Sequence, residues 1–264
     1  MTLFKISFLI LCSLLFISSA LAEQHNKTNN LIIGIIDDEE PPYRFIRDGK
    51  QLGIQADLAM EVARRAEVNI TIKPIPWKRI LLLLEKGELD GTVVGYKTPE
   101  RVAYAIYTDI PLQYVYFSIF VMKGLEFPYR EIENLQGKRI GKQRGYYVSK
   151  EFNRAAKNKE IILYENNKLS SLITMLRINR VDAIIGLDSA VKYELFQKKM
   201  KNVVALPTPI NQPRGAFLFF SKAANIAPEV VTRFNQALKE MKRENIFQKT
   251  FQKYGLDYLP PEVD

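Results

Sequence analysis

The side chains that most often catalyse reactions or bind transition metals are almost missing from this sequence. Its 264 residues include one cysteine, Cys12, and one histidine, His25, and both precede the first segment predicted to fold. Zinc sites, disulfide frameworks, thiol nucleophiles and Ser-His-Asp triads all need residues that the rest of the chain lacks. Any catalysis would depend on carboxylates, lysine or tyrosine, and we predict no metal and no cofactor.

Basic residues outnumber acidic residues by 38 to 29, which gives a formal net charge of +9 and raises the question of a nucleic-acid or anionic-surface partner. The basic residues alternate with acids or lie on predicted solvent faces of helices, as do Lys198, Lys199 and the run 239–243. The sequence contains neither a basic arm nor an aromatic-plus-basic RNA-binding pattern. We therefore predict solvated helix faces and no nucleic-acid partner.

Residues 1–22 have the order of a secretory signal peptide. A single positive charge at Lys5 precedes an apolar run over 6–17, and small residues end the segment at Ala22. The apolar core is too short to span about 30 Å of hydrocarbon comfortably, although an uncleaved anchor is the alternative. We predict cleavage after Ala22 and export of the mature chain to the periplasm as a soluble protein.

The body of the chain alternates predicted strands and helices. In the first half we predict strands at 31–36, 68–75 and 90–94, a helix from 56, and a helix over 77–85 that stops at Gly87. In the second half we predict strands at 139–141, 161–164, 183–185 and 203–206, and helices over 148–158, 169–178 and 190–198. Short β-α-β connections imply largely parallel sheets covered by helices.

Two β-rich stretches, 115–122 and 215–220, separate these halves and suggest that the chain crosses between two lobes twice. Amphipathic helix follows at the C-terminus. A two-lobe α/β protein has its natural ligand site in the cleft, where loops at strand ends and helix N-termini converge.

Seven segments in register resemble the bacterial extracellular solute-binding proteins of family 3, the polar amino-acid-binding type that serves ABC importers. They are "PPYRF", "LGIQADLAMEVARRAEV", "PWKRILLLLEKGELDG", "TPERVAYAIYTDIPL", "LQGKRIGKQRG", "RVDAIIG" and "FQKYGL". The resemblance implies an α/β fold of the type II periplasmic binding proteins, with two lobes joined by a two-strand hinge (a Venus flytrap). Lobe 1 would comprise residues 23–117 and 215–264, and lobe 2 residues 118–214.

The resemblance implies that Arg101, after Thr98, grips a ligand's α-carboxylate. A planar guanidinium suits this role because it donates two parallel charge-assisted hydrogen bonds. The alternative is a helix-end arginine paired with Glu100 or Glu85. Tyr96 ends the strand that delivers Thr98 and Arg101, so we expect its backbone to border the cleft.

Asp188, after the predicted strand 183–185, could hold a ligand's ammonium group, but it could equally cap the helix that follows. In the family pattern the acid lies one residue earlier, where this chain has Leu187. Gly145 would begin an anion-facing turn with N–H groups exposed at a helix start. Tyr146 and Tyr147 follow it in place of the usual threonine or serine, and they could stack on a flat ligand or pack against the lobe.

The acidic run 37–40 lacks the spaced oxygen ligands of a calcium loop. The resemblance places it at the cleft edge, where a carboxylate at Glu40 would attract a cation such as a basic amino acid or polyamine. Solvation explains Asp38 and Glu39 better. Tyr43 and Trp77 are the aromatic candidates for the wall of the site, with Trp77 equally able to plug the core at its helix start.

We therefore predict a monomeric, non-enzymatic periplasmic protein that captures a small polar, amino-acid-like ligand between two lobes for a membrane ABC permease. One alternative is a periplasmic dehydratase of the cyclohexadienyl or arogenate type on the same fold. That chemistry needs a buried acid with a raised pKa, for which Glu40 and Asp188 are the only candidates. The other alternative is a ligand-sensing component for a membrane receptor.

Overall fold

The computed structural model of the chain describes residues 30–47 and 49–259. The predicted signal peptide, its cleavage point, Cys12 and His25 lie outside these residues. Within them, no helix combines the length and apolar character needed to cross a bilayer. The described residues divide into two compact units: the first holds 30–38, 56–110 and 217–244, and the second holds 39–47, 49–55, 111–216 and 245–259.

The described strands are β1 (Asn30–Ile36), β2 (Phe45–Arg47), β3 (Lys50–Leu52), β4 (Asn69–Ile75), β5 (Gly91–Gly95), β6 (Ala105–Tyr107), β7 (Gln113–Val115), β8 (Phe117–Met122), β9 (Arg139–Gln143), β10 (Ile162–Asn166), β11 (Ala183–Leu187), β12 (Val203–Ala205) and β13 (Arg214–Ser221). The described helices are α1 (Ile54–Arg65), α2 (Trp77–Lys86), α3 (Pro99–Val102), α4 (Lys150–Lys157), α5 (Leu169–Arg177), α6 (Asp188–Gln197), α7 (Pro228–Arg243) and α8 (Ile246–Gln252).

The first unit is built on a sheet of strand order β4-β1-β5-β13-β6. Strands β4, β1 and β5 are parallel, whereas β13 runs antiparallel to β5 and β6. Parallel neighbours need crossover connections, and here α1 links β1 to β4 and α2 links β4 to β5. Because the carboxyl ends of β4 and β5 lie at one edge of the sheet, the segments after Ile75 and Gly95 leave from the same edge.

Helix α2 shows how local sequence sets an element of this unit. Its apolar residues at i and i+4, Ile80 and Leu84, are buried. Gly87 ends the helix in the left-handed conformation, with φ 74°, and its N–H group donates to carbonyls of the last turn. The helix and its glycine stop therefore follow the predicted pattern.

The second unit contains a sheet of order β10-β9-β11-β8-β12. Strands β10, β9 and β11 are parallel, and β8 is antiparallel to both β11 and β12. Alternate residues of β8 face opposite sides: Ile119 packs in a core with Phe152 of α4, and Phe120 packs in a second core with Leu172 of α5 and Val191 of α6. Helices therefore cover both faces of this sheet.

Two strands of the second unit run further than the sequence pattern indicates. The predicted strands 139–141 and 161–164 are observed as β9 and β10, which pair in parallel register through Gln143 and Asn166. The additional pairs include Lys142 with Glu165, whose side chains form an ion pair with an N–O distance of 2.7 Å. This ion pair links the two strands in the part that the sequence pattern did not predict.

We predict that Gly87→Ala destabilises the protein by more than left-handed backbone strain alone. Strain costs about 1–2 kcal/mol for a residue with a Cβ atom. At Gly87 that atom would also meet the backbone carbonyl oxygen of Ala223 at 2.6 Å, which adds about 1–3 kcal/mol as overpacking does. Urea unfolding followed by far-UV circular dichroism measures the loss.

Gly124→Ala is the matched control. Gly124 also has a positive φ, 89°, but a Cβ atom there would meet nothing within 4 Å. We expect this variant to show the backbone strain alone. Equal losses for the two variants would contradict a steric role for the Ala223 contact.

Candidate functional site

The edge of the first unit's sheet at which β4 and β5 end carries Trp77 and Arg101. Trp77 is the first residue of α2. Arg101 lies in α3, which begins at Pro99, four residues after β5 ends at Gly95. Thr98 is the N-cap of α3: its hydroxyl oxygen accepts a hydrogen bond from the Arg101 N–H group at 3.4 Å. This cap and Pro99 at the first helical position turn the chain sharply after the strand.

The Arg101 guanidinium is held by neutral partners. Its Nη1 atom donates to the backbone carbonyl of Tyr96 at 2.9 Å, and its Cζ atom lies 5.0 Å from the centroid of the Trp77 ring. The Tyr107 hydroxyl donates to the same Tyr96 carbonyl at 3.0 Å. We call Trp77, Tyr96, Thr98, Arg101 and Tyr107 the arginine cluster.

Within the described residues, no carboxylate lies within ion-pair distance of Arg101. The alternative interpretation of this arginine, a pairing with Glu100 or Glu85, is therefore not what the structure contains. The Arg101 charge is a minor influence on Glu100, whose pKa is lowered mainly by hydrogen bonds to its own backbone and to Thr98. The positive charge of Arg101 thus has no partner of opposite sign in this part of the chain.

Gly95 lets the rings of Trp77 and Phe219 approach the backbone of β5 closely. A Cβ atom at this position would lie 2.5 Å from the Phe219 ring and 3.1 Å from the Trp77 ring. Tyr107 stacks on Phe219, with ring centroids 4.6 Å apart. Burial raises the pKa of the Tyr107 hydroxyl to about 12, although the Arg101 charge opposes the rise. Tyr107 therefore stays neutral and keeps its donor proton at neutral pH.

In the second unit, Asp188 is the centre of a buried hydrogen-bonded group. Its carboxylate accepts from the Tyr116 hydroxyl at 3.0 Å and from the Ser118 hydroxyl at 2.7 Å, and it pairs with Lys192 at 2.9 Å. Asp188 exposes 7 % of its surface. We call Asp188, Tyr116, Ser118 and Lys192 the aspartate cluster.

The alternative interpretation of Asp188, as the N-cap of a helix that begins at residue 190, is not what the structure contains. Strand β11 continues to Leu187 because its last two residues pair with Ser118 and Phe117 of β8, and α6 begins at Asp188 itself. Leu187 occupies the N-cap position without a side-chain hydrogen bond. The carboxylate of Asp188 joins α6 to β8 instead of capping the helix.

Gly145 and Tyr146 lie in the turn between β9 and α4. Gly145 is exposed and has a φ of 84°, a conformation that favours glycine. The helix start that the sequence analysis placed beside it begins later, at Lys150, where the Ser149 hydroxyl accepts the Phe152 N–H group at 3.1 Å. Gly145 therefore belongs to the turn and not to the helix terminus.

Lys142 fixes the backbone of Tyr146. The Lys142 side chain exposes 7 % of its surface, and its Nζ atom donates to the Tyr146 carbonyl at 3.1 Å while pairing with Glu165. The Tyr146 ring meets the edge of Phe117 at a centroid distance of 6.0 Å. Burial, and secondarily the negative charge of Glu40, raises the pKa of the Tyr146 hydroxyl.

Glu40 and Tyr43 lie close together in the chain but differ in environment. Glu40 forms an ion pair with Arg44 at 2.6 Å, so part of its charge is already neutralised. Tyr43 exposes 4 % of its surface, and its ring packs edge-on against Phe251 at 6.3 Å. The ligand roles predicted for both residues remain predictions.

The structure thus brings together four predicted site residues in the first unit, namely Trp77, Tyr96, Thr98 and Arg101. The other five, Glu40, Tyr43, Gly145, Tyr146 and Asp188, belong to the second unit. Sequence reasoning missed Tyr107 and Lys142. Tyr107 carried no local signal, and Lys142 was overlooked because the predicted strand stopped one residue before it. No cluster of three or more potential metal-ligating side chains occurs among residues 30–47 and 49–259.

Comparison with known proteins links the chain to one family. The model of the bacterial extracellular solute-binding proteins, family 3, matches residues 31–257. An arginine-binding extracellular protein of Bacillus subtilis is 21 % identical over 225 residues, which cover 85 % of each chain. A probable histidine-binding protein of Campylobacter jejuni is 21 % identical over 250 residues, which cover 95 % of this chain and 94 % of the relative.

A solved structure supports the fold assignment. The L-cystine solute receptor of Neisseria gonorrhoeae, in an unliganded open conformation, matches with a TM-score of 0.72 and 21 % identity, over 92 % of this chain and 99 % of the receptor. The predicted fold class, an α/β fold of the type II periplasmic binding proteins, is confirmed. The expectation that the protein is not an enzyme is also supported, because these similar proteins are named as binding proteins or receptors.

We predict that Asp188→Ala lowers stability by roughly 2–5 kcal/mol, because each buried partner left unsatisfied costs about 1–3 kcal/mol. Two hydroxyl donors and Lys192 would lose their acceptor. Lys192→Met is the matched control and should cost less, because it leaves both hydroxyl bonds in place. Urea unfolding of the three proteins measures the differences. An Asp188→Ala variant of unchanged stability that fails to bind ligand would indicate a ligand contact instead.

Proposed function

Because the chain belongs to the bacterial extracellular solute-binding proteins of family 3, we propose that it binds a small polar, amino-acid-like solute and delivers it to the membrane permease of an ABC importer. Similar proteins are named for binding arginine, histidine and L-cystine. These three ligands differ in their side chains but share an α-carboxylate and an α-ammonium group. A carboxylate-binding group is therefore the feature that a site for this ligand class needs first.

The observation that carries the proposal is the arrangement of Arg101. Its guanidinium is oriented by the Tyr96 carbonyl and the Trp77 ring, and no described carboxylate neutralises it. One of the five guanidinium N–H groups is used by Tyr96, so a ligand carboxylate can still accept a bidentate pair. A preoriented arginine loses less side-chain entropy when it binds, which favours affinity.

The proposal includes further ligand contacts in each unit. Trp77 supplies an aromatic surface and Thr98 fixes the start of the short helix that carries Arg101. In the second unit, Tyr146 would add a partly exposed ring and Glu40 a negative charge that favours cationic ligands. Glu40 must share that charge with Arg44.

The proposal includes a location and an assembly state. We propose export to the periplasm, cleavage of the signal peptide after Ala22, and a monomeric mature protein. The lobe boundaries inferred from the sequence, 23–117 and 215–264 against 118–214, belong to the same proposal. Mass spectrometry of the exported protein gives the first residue, and light scattering gives the mass in solution.

A thermal-shift screen of the protein without residues 1–22 tests the ligand class. The ligands are the twenty amino acids, cystine, polyamines and organic acids. A ligand at 100 times its Kd should stabilise the folded state by about 2.7 kcal/mol. Stabilisation by polyamines alone would contradict an amino-acid-like ligand, because polyamines have no carboxylate.

We predict that Arg101→Ala weakens binding of the best amino-acid ligand at least 100-fold. Two charge-assisted hydrogen bonds contribute about 1.5–3 kcal/mol each, and about 2.7 kcal/mol corresponds to 100-fold. Arg101→Lys should retain part of the affinity, because it keeps the charge but loses the planar fork. Isothermal titration calorimetry measures the affinities.

Arg64→Ala is the control for the loss of one positive charge. Arg64 is an exposed residue of α1 that pairs with Glu61 on the same helix. We expect this variant to bind with unchanged affinity. If Arg101→Ala also retained full affinity, Arg101 would have no part in the site.

A further inference from the structure

A concavity of about 560 Å³ in the second unit is lined mainly by cations. We call its five basic residues, Lys123, Arg177, Lys198, Lys199 and Lys201, the basic patch. All five side chains are exposed. Met200 and Asn202 complete the lining.

Segments that are distant in sequence form the basic patch. Lys123 follows β8, Arg177 is the last residue of α5, and the other three cations lie in the link between α6 and β12. The antiparallel pair of β8 and β12 brings the first and last segments together, and the Lys123 N–H group donates to the Asn202 carbonyl at 2.9 Å. The sequence interpretation of Lys198 and Lys199 as a solvated helix face could not reveal this convergence.

The basic patch has little internal neutralisation. Lys198 pairs with Glu194 at 2.8 Å. For the other four cations, no carboxylate in the described part of the chain lies within ion-pair distance. Several like charges around one concavity raise the local potential and attract a polyvalent anionic partner.

Two exposed aliphatic side chains lie close in the chain to cations of the basic patch. Ile178 follows Arg177 directly and exposes 66 % of its surface, and Leu125, two residues after Lys123, exposes 64 %. A free anion would use only the charges. Basic residues combined with protruding aliphatic side chains match an anionic bilayer, where the charges meet headgroups and the aliphatic groups enter the interface. We propose that the basic patch is a docking surface for anionic phospholipid membranes.

The basic patch lies at the opposite edge of the sheet from Tyr146 and Asp188. Strands β9 and β11 end beside Tyr146 and Asp188, where the antiparallel strand β8 begins. Lys123 follows the other end of β8. Membrane contact through the basic patch would therefore not cover the edge at which Tyr146 and Asp188 lie. This inference thus does not depend on the proposed function.

Vesicle co-sedimentation of the protein without residues 1–22 tests the proposal. We expect binding to vesicles that contain phosphatidylglycerol, little binding to pure phosphatidylcholine, and loss of binding as salt rises from about 0.1 M to about 1 M, where the screening length falls from about 10 Å to about 3 Å. Equal binding to both kinds of vesicle would overturn the proposal.

Variants assign the binding to the basic patch. Lys199→Gln with Lys201→Gln should weaken vesicle binding about 30-fold, since each lysine near an anionic surface contributes roughly a factor of five. Lys242→Gln with Arg243→Gln, an exposed pair at the end of α7 in the first unit, is the matched control and should have little effect. Equal effects of the two double variants would overturn the proposal.

Ile178→Ser separates a lipid partner from other anions. We expect it to weaken vesicle binding several-fold with the charge unchanged. If Ile178→Ser had no effect and millimolar inorganic pyrophosphate displaced the vesicles, the basic patch would be a site for soluble anions, and the membrane proposal would be wrong. An acidic protein that displaced the vesicles in the same way would also contradict it.

Discussion

The hydrogen bond from the Arg101 guanidinium to the Tyr96 carbonyl is the interaction on which the proposed ligand site depends. It orients the side chain without neutralising it, because a carbonyl and an indole ring offer partial negative charge and no net charge. A carboxylate in the same place would hold the arginine more tightly and would compete with a ligand. The neighbouring residues support this contact. Thr98 caps the helix that carries Arg101, and Gly95 leaves room for the Trp77 and Phe219 rings.

Strand direction explains why the second unit has two distinct polar surfaces. Its parallel strands end at one edge, and the turns that follow place Tyr146 and Asp188 there. Strand β8 runs the other way, so its end, together with the ends of α5 and α6, collects cations at the opposite edge. Cations also interact favourably with the negative ends of helix dipoles, which offsets part of their mutual repulsion. The basic patch can therefore persist in a stable fold.

Local sequence patterns were sufficient for features that depend on near neighbours. The helix predicted over 77–85 and its stop at Gly87 follow from apolar spacing and from a glycine that tolerates a positive φ. Local patterns did not predict features that depend on a partner far away in the chain. Lys142 lies in a strand that pairs with Glu165 and Ile185 on its two sides, and Tyr107 joins the arginine cluster because β6 pairs with the much later strand β13. The residues predicted for the site came from a family resemblance. A resemblance indicates which positions of the sequence correspond to site residues, but it does not give the environment of their side chains.

The environments of Arg101 and Asp188 favour different roles for the two charged residues considered for the two ends of an amino-acid ligand. Asp188 accepts two hydroxyl hydrogen bonds and pairs with Lys192, so a ligand ammonium group would compete with partners that already use most of the carboxylate's acceptor positions. Arg101 has no such obstacle, because its charge meets no opposite charge among the described residues. Displacing buried partners costs more than filling an unused donor direction. Recognition of a carboxylate by Arg101 is therefore better supported than recognition of an ammonium group by Asp188.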